Sequence, residues 1–341
     1  MQFPGGTDMS KSHKMIVAGH VALDMTPVFS PNKTFRTVEE CLVPGSLTVM
    51  GEAKFSVGGA VSNTGLALKV LGADVSLMGK IGDDDLGRIV TRIYDSYGAG
   101  GLIVDPRTDT SYTMVVAPPG IDRIFLHHPG ANDTFLCEDI PEEALENVEL
   151  FHFGYPPLMR SMYRDDGAEL LKIYKRVKAK GITTSLDMAA VDPNGEAAKT
   201  NWRHLMEQVL PYVDYFVPSL DEILFMLGPG FKTPAEAATE CMRLGAKTVL
   251  IKCGSDGMYY KSADCEGHQP VFPVPFVASA TGAGDTSIAA FLFARLEGKS
   301  VPESAAYAAA EGACCCTAYD TVSGLKTMPE LEKMIRNAEQ K

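Results

Sequence analysis

The chain has 341 residues, of which 45% are hydrophobic and 22% are charged, a composition typical of a folded globular protein. Its 31 Lys and Arg residues against 43 Asp and Glu residues give a formal net charge of −12. This charge argues against a nucleic-acid-binding protein, because such proteins need a basic surface that displaces counterions. It does not exclude a phosphate-bearing small molecule, which backbone amides can hold locally.

The eight cysteines form no CxxC pair and no zinc-finger spacing with histidine. Cys314, Cys315 and Cys316 lie among alanines and predict small buried side chains on a helix. No segment is apolar for long enough to span a membrane, and residues 1–13, which lack the apolar core of a signal peptide, predict a loose tail. We therefore expect reduced thiols and a cytoplasmic location.

Short apolar runs alternate with single helical segments and predict an α/β fold, in which a mostly parallel sheet has helices on both faces. The predicted strands lie at 15–18, 75–79, 149–153, 182–186, 215–217 and 248–252. The predicted helices lie at 59–71, 86–97, 168–178, 202–209, 220–227, 235–244 and 286–296.

Two segments, residues 34–57 and 110–128, depart from this pattern. Both show alternation without a helical period, as in residues 47–50 and 112–116, and both contain Gly and Pro turn signals. We interpret them as strands of a small β-sheet lid inserted into the α/β body, which could also serve as a dimer surface. The body would then comprise residues 14–33, 58–109 and 129–341.

Residues 280–286 (ATGAGDT) form the strongest local signal, a turn of small residues between an apolar, strand-like run at 271–277 and a helical run. At such a helix start the amides of Gly282, Ala283 and Gly284 are unpaired and create an anion site. Asp285 would repel a bound phosphate and suits a base that takes the proton of a hydroxyl attacking phosphorus. The alternative is an ordinary helix N-terminus with an acidic first turn.

A second turn contains Gly58 and Gly59, and Asn63 follows one helical turn later. The exposed amides and the Asn side chain suit the hydroxyls of a neutral polyol. Asp24 follows the first predicted strand, where open parallel sheets bind their ligands. Taken alone, the Gly-Gly turn is better explained as a tight turn with a satisfied Asn, and Asp24 as a loop residue without a function.

Lys252 ends a predicted strand, and Gly254 and Gly257 follow it in a turn that is compatible with the edge of a nucleotide. The alternative is a β-turn with a solvated lysine. The dinucleotide fingerprint is absent because Ser287 stands at its sixth position, and no P-loop occurs because a residue separates Gly from Lys at 245–247 and 324–326.

Two blocks together resemble the ribokinase, or PfkB-type, carbohydrate kinases from Met15 to the C-terminus. The first, residues 58–84, contains the Gly-Gly turn, NTGLA at 63–67 and GKIGDD at 79–84. The second is TGAGD at 281–285, about 220 residues later. The segments at 130–132 and 218–222 also fit the family.

The resemblance implies a Rossmann-like α/β body with a β-sheet lid, and ATP-dependent phosphorylation of a hydroxymethyl group on a sugar or sugar-like substrate. It makes Asp285 the catalytic base and places the anion hole at Gly282, Ala283 and Gly284. It assigns substrate binding to Asp24, Gly58, Gly59 and Asn63, and nucleotide binding to Ser219, Lys252, Gly254 and Gly257. Glu222 matches a glutamate that helps to place Mg²⁺ through water.

The chain departs from the family pattern at several positions. Ser219 replaces an Asn, which leaves open how phosphate or magnesium-bound water is placed. Ser279 and Ala280 replace an Asp and a Thr of a monovalent-cation site, so activation by K⁺ is open. Ala60 replaces a Lys of ribokinases and sugar-phosphate kinases, which favours an unphosphorylated sugar, a sugar acid or a nucleoside. Arg123 could pair with a substrate carboxylate, but we interpret it as a solvated lid residue.

Two other functions stay open: a nucleoside kinase, and a ligand-binding or regulatory protein that kept the fold and lost turnover. The departures at Ser219, Ser279 and Ala280 support the second, whereas the intact GAGD motif opposes it. The expected partners are a sugar-like substrate and ATP, with no nucleic acid and no membrane, and two copies could pair through the lid as a homodimer. His127 and His128 show no acidic or metal-binding partner in the sequence, and we assign them no role.

Overall fold

The computed structural model describes residues 13–30, 32–121 and 123–339, so that the predicted tail, apart from His13, lies outside the described residues. The strands are β1 Lys14–Gly19, β2 Ala22–Pro27, β3 Ala53–Gly58, β4 Asp74–Met78, β5 Lys80–Gly82, β6 Ile103–Asp105, β7 Tyr112–Val116, β8 Ile124–His128, β9 Leu150–Gly154, β10 Thr183–Leu186, β11 Tyr215–Phe216, β12 Thr248–Lys252, β13 Met258–Ser262 and β14 Glu266–Gln269. The helices are α1 Val38–Cys41, α2 Ala60–Leu71, α3 Asp85–Ser96, α4 Arg160–Tyr163, α5 Ala168–Ala179, α6 Trp202–Val209, α7 Leu220–Leu227, α8 Pro234–Arg243, α9 Ala283–Leu296, α10 Val301–Cys315 and α11 Met328–Glu339.

An eight-stranded sheet forms the centre of the molecule, in the order β14-β13-β12-β11-β10-β9-β1-β4. The strands from β12 to β4 run parallel, and β13 and β14 add an antiparallel edge. The carboxyl ends of the parallel strands therefore meet along one edge, where sheets of this type bind ligands. This arrangement confirms the predicted α/β fold.

The helices cover both faces of this sheet because its central strands are apolar on both sides. In β1, Met15 and Val17 pack into one core, whereas Ile16 and Ala18 pack into the other. Neighbouring side chains of a strand point to opposite faces, so a continuous apolar run requires a helical layer on each face. One core draws on α5, α6, α7 and α8, and the other on α2, α3, α9, α10 and α11.

A separate four-stranded sheet has the order β3-β2-β7-β8. Its β2–β7 pair is parallel, and the other two pairs are antiparallel. Strand β2 lies within residues 14–33, which the sequence placed in the body. Residues 47–50, expected as a strand, form none: Leu47 is 92% exposed and Val49 is 81% exposed. Met50 packs against the small cluster of Phe29, Cys41 and Val116, but the segment pairs with no described strand.

The strand-like run at 271–277 is also not a strand in the structure. Pro273 and Pro275 interrupt it, and proline cannot donate to a sheet ladder. The sequence analysis missed the β13–β14 hairpin and helix α11. Cys314 and Cys315 are buried at the end of α10, as expected, whereas Cys316 follows the helix as its C-cap and is only partly buried.

All eight cysteines are free. Among the described residues, no helix combines the length and the apolar character that crossing a membrane requires.

Candidate active site

The turn before α9 has the backbone geometry of an anion site. Gly282 has a φ of +76°, and a Cβ at this position would lie 2.4 Å from Thr321 Cγ2, so glycine is required there. The amides of Gly282 and Gly284 have no acceptor in the part of the chain that the structure describes. Ala283 differs from the expectation of three free amides, because its N–H donates to the Ala280 carbonyl at 3.3 Å.

Asp285 lies in the first turn of α9 and is 4% exposed. The side chain of Asn63, on α2, donates to Asp285 Oδ2 at 3.0 Å, and the hydroxyl of Tyr155 lies 2.8 Å from both carboxylate oxygens. Burial raises the pKa of Asp285, while the Lys252 cation and these hydrogen bonds oppose the rise. The contact with Asn63 joins the two sequence blocks, which lie 222 residues apart.

Asp24 is in contact with the Gly-Gly turn that precedes Asn63 in the sequence. Asp24 lies within β2 of the small sheet, and not in a loop after β1 as expected. A Cβ on Gly58 would lie 2.2 Å from Asp24 Oδ2, and a Cβ on Gly59 would lie 2.5 Å from the Nδ1 atom of His20. Both glycines are therefore needed for the close approach of these side chains. Burial raises the pKa of Asp24 to about 7, although a hydrogen bond with Thr113 acts to lower that pKa.

Lys252 is not the solvated lysine of the alternative interpretation. Its Nζ lies 2.7 Å from Asp187 Oδ1, with side-chain exposures of 13% and 0%. A Cβ on Gly284 would lie 3.7 Å from the same Nζ, so the cation borders the anion site. Burial acts to lower the pKa of Lys252, but the carboxylates of Asp187, Glu222 and Asp285 outweigh it and raise that pKa.

Ser219 and Glu222 form a capping box at the start of α7. The Ser219 N–H donates to Glu222 Oε2 at 2.8 Å, and the Ser219 hydroxyl accepts from the Glu222 N–H at 3.5 Å. Ser219 also bridges to Lys252 in a parallel β-bridge. The serine that replaces the family's Asn thus has a structural role, and it holds Glu222 beside Lys252.

A cavity of about 570 Å³ opens beside Asp285. It is lined by the predicted catalytic and nucleotide-binding residues, namely Gly282, Ala283, Gly284, Asp285, Ser219, Glu222, Lys252, Gly254 and Gly257. Apolar side chains line another part of it, among them Val271, Phe272, Val274 and Ala313. None of the predicted substrate-binding residues lines this cavity. One of them, Asn63, is hydrogen-bonded to Asp285, which does line it.

Sequence reasoning missed four side chains of this region: His20, Tyr155, Asp187 and His127. The first three follow the carboxyl ends of β1, β9 and β10, and this position in a parallel sheet is the signal that could have found them. His127, on β8, has partners after all: its Nε2 lies 3.3 Å from His20 Nε2, and its Nδ1 lies 3.1 Å from Thr113 Oγ1. These contacts join the small sheet to the body.

Arg123 makes a second connection between the small sheet and the body. Its guanidinium donates to Ser279 Oγ at 3.3 Å and lies over the ring of Phe125. It is therefore a bridging residue, in contrast to the solvated lid residue that we expected.

Comparison with known proteins gives a consistent assignment. The profile of the pfkB family carbohydrate kinases matches residues 31–328. An uncharacterized sugar kinase from Archaeoglobus fulgidus is 28% identical over 76% of this chain and 98% of its own length, and fructokinase-1 from Zea mays is 27% identical over 82% and 88%. The structure of Arabidopsis thaliana ribokinase complexed with ribose and ATP superimposes with a TM-score of 0.75 and 21% identity, covering 95% of this chain and 99% of that one. The chain therefore belongs to the pfkB family of carbohydrate kinases.

Proposed function

We propose that the protein transfers the γ-phosphoryl group of ATP to a hydroxymethyl group of a sugar or sugar-like substrate. One observation carries this proposal: a buried carboxylate, Asp285, lies beside the free amides of Gly282 and Gly284 and is hydrogen-bonded to Asn63. A base next to an anion site is the arrangement that phosphoryl transfer to an alcohol requires.

ATP would occupy the cavity beside Asp285. The volume of about 570 Å³ lies within the range of small-molecule sites, and the apolar lining suits a nucleobase. The turn of Gly254 and Gly257 lines the same cavity. The structure of Arabidopsis thaliana ribokinase in complex with ATP supports ATP as the nucleotide.

Mg²⁺ fits the residues that line this cavity. Among the described residues, no group of three or more His, Cys, Asp or Glu side chains could hold a metal alone. Mg²⁺ in kinases is held chiefly by phosphate oxygens and water, with one or two carboxylates. Glu222 lines the cavity. Asp187 does not, but it is ion-paired with Lys252, which does, and its buried Oδ2 has no hydrogen-bond partner in the described chain. These two carboxylates would supply the protein ligands. Held there, the ion would offset the negative charge that develops on the transferring phosphoryl group.

Asp285 would accept the proton of the substrate hydroxyl. The hydroxyl oxygen attacks the γ-phosphorus, the bond from that phosphorus to the bridging oxygen breaks, and ADP leaves with the electron pair. The amides of Gly282 and Gly284 and the Lys252 cation would stabilise the negative charge on the transferring group. The raised pKa of Asp285 makes its carboxylate a stronger proton acceptor.

The sugar would bind between the small sheet and α2. Asp24 and Asn63 are polar side chains there, and Gly58 and Gly59 allow close approach. The small sheet would then act as a lid that excludes water, which competes as a phosphoryl acceptor. The sugar-kinase relatives favour a sugar over a nucleoside as the substrate.

The test is ADP release with MgATP across a panel of sugars, sugar acids and nucleosides, with and without K⁺. Release that depends on one substrate, with a phosphate monoester as the product in ³¹P NMR, is the expected result. A shift of the melting temperature by ATP without turnover on any substrate would instead favour the binding or regulatory protein.

We propose in addition that two copies pair through the outer face of the small sheet. Phe55, Met114 and Leu126 lie on this face and are 49%, 38% and 54% exposed. They alternate with Asp24, Thr113 and His127, which face the site. Light scattering should give a dimer for the wild type and a monomer for Phe55→Asp, and a monomeric wild type would contradict this pairing. The cytoplasmic location stays a prediction.

A further inference from the structure

The hydroxyl of Tyr155 contacts both carboxylate oxygens of Asp285. It lies 2.8 Å from Oδ1 and 2.8 Å from Oδ2, so one O–H group covers the edge of the carboxylate from which a base accepts a proton. Asn63 donates to Oδ2 as well. A substrate hydroxyl that approaches this edge therefore competes with the Tyr155 hydroxyl for the same oxygens.

The position of the Tyr155 ring is set by the backbone. Tyr155 has a φ of +67°, in the left-handed region that residues with a Cβ rarely adopt, and Pro156 follows it and disfavours the right-handed helical alternative. Gly154, before it, is packed so tightly that an added Cβ would lie 2.1 Å from the Cβ of Ala60. Strained backbone of this kind is typical of functional sites.

Tyr155 also lies between the cavity proposed for ATP and the proposed sugar site. It lines the cavity proposed for ATP, and its ring centroid lies 6.0 Å from that of His20, which contacts the small sheet through His127. The path of a phosphoryl group from the cavity to the sugar side therefore passes the phenol.

We propose that Tyr155 occupies the proton-accepting edge of Asp285 when no sugar is bound, and that the substrate's hydroxymethyl group displaces it. The phenol would thus restrict phosphoryl transfer to water. This inference rests on the proposed role of Asp285 as the base. In the reaction it suppresses, a water oxygen attacks the γ-phosphorus, the bond to the bridging oxygen of ADP breaks, and the water proton passes to Asp285.

The phenol keeps its proton throughout the neutral range. Desolvation and the carboxylate of Asp285 raise the pKa of Tyr155 well above its ordinary value, so it stays a donor. Removing its hydroxyl would leave a carboxylate edge open to water, beside the cavity that admits ATP.

The test is ATP hydrolysis without sugar, which does not require the substrate to be known. Tyr155→Phe should release ADP roughly tenfold faster than the wild type, a fraction of the full contribution of a general base. The double variant Tyr155→Phe/Asp285→Asn should lose this gain. Tyr174→Phe, which removes the hydroxyl of another buried tyrosine that donates to the Ser185 carbonyl, is the matched control and should hydrolyse ATP like the wild type.

Unchanged hydrolysis in Tyr155→Phe, or a gain that persists when Asp285 is replaced, would overturn the inference. Tyr155→Met, which fills space without a hydroxyl, provides the same test if the Phe variant does not fold. Failure of the proposed function has a different signature: the wild type would then show no sugar-dependent turnover with any sugar, whatever Tyr155→Phe does without sugar.

Discussion

Replacing Lys252 by Met tests whether the ion pair with Asp187 both stabilises the fold and serves the reaction. The substitution keeps much of the side-chain volume and removes the charge. The two side chains are 13% and 0% exposed, and burial raises the pKa of Asp187 to about 8, so at alkaline pH the variant would leave Asp187 as a nearly unsolvated charge. Loss of one partner of a buried pair lowers the free energy of unfolding by about 3–5 kcal/mol.

The same substitution should lower kcat, because the Lys252 Nζ borders Gly284 in the anion site. Loss of one preorganised group that stabilises transition-state charge lowers kcat by about 10²–10³-fold. Lys252→Arg, which keeps the charge, is the matched control and should retain more activity. The stability loss of Lys252→Met should shrink as the pH falls, because burial raises the pKa of Asp187 and its protonated form carries no charge.

The double variant Lys252→Met/Asp187→Asn tests the stability role alone, because Asp187 is also a proposed Mg²⁺ ligand. With both charges removed, urea denaturation should show most of the stability restored. Stability losses that simply add in the double variant would refute the ion pair as a coupled unit. Wild-type kcat in Lys252→Met, measured with saturating MgATP and sugar, would refute its role in catalysis.

Three further predictions concern the substrate side and the anion site. Gly58→Ala should raise the KM for sugar by about tenfold with little change in ATP affinity, because its Cβ would displace the Asp24 carboxylate; an unchanged KM would argue against Asp24 as a sugar ligand. The KM for sugar should rise as the pH falls from 8 to 6, because the pKa of Asp24 is about 7 and its carboxylate is the accepting form; this trend should vanish in Asp24→Asn. Gly284→Val should lower kcat by about 10²-fold by filling the anion site, and wild-type turnover would argue against that site.

The sequence predicted the central sheet well because its strands are short, apolar and separated by single amphipathic helices. Helices α6 and α7 begin and end where the periodicity indicates, and α2 and α8 differ by one residue. The small sheet was harder to predict, because an alternation of apolar and polar residues does not reveal whether a partner strand exists. Residues 47–50 alternate but pair with nothing among the described strands, whereas β2 pairs on both sides.

The residues of the site that came from local motifs were predicted, and those that depend on distant contacts were not. Gly282 and Asp285 share one turn, so their chemistry can be deduced from a few letters. Tyr155, Asp187 and His127 come from separate strands, and their relation to Asp285, Lys252 and His20 exists only after the sheets assemble. A systematic check of the residues that follow each parallel strand would have suggested Tyr155 and Asp187.

Turnover of Asp285→Asn tests the central claim most directly. The variant keeps the size of the side chain and removes its ability to accept a proton, while Asp221→Asn, at an exposed neighbour of Glu222, controls for loss of a charge. With the best substrate of the panel, we expect kcat to fall by about 10²-fold or more in Asp285→Asn, with the ATP-induced shift in melting temperature retained, and to stay unchanged in Asp221→Asn. Equal turnover in Asp285→Asn and the wild type would contradict the account.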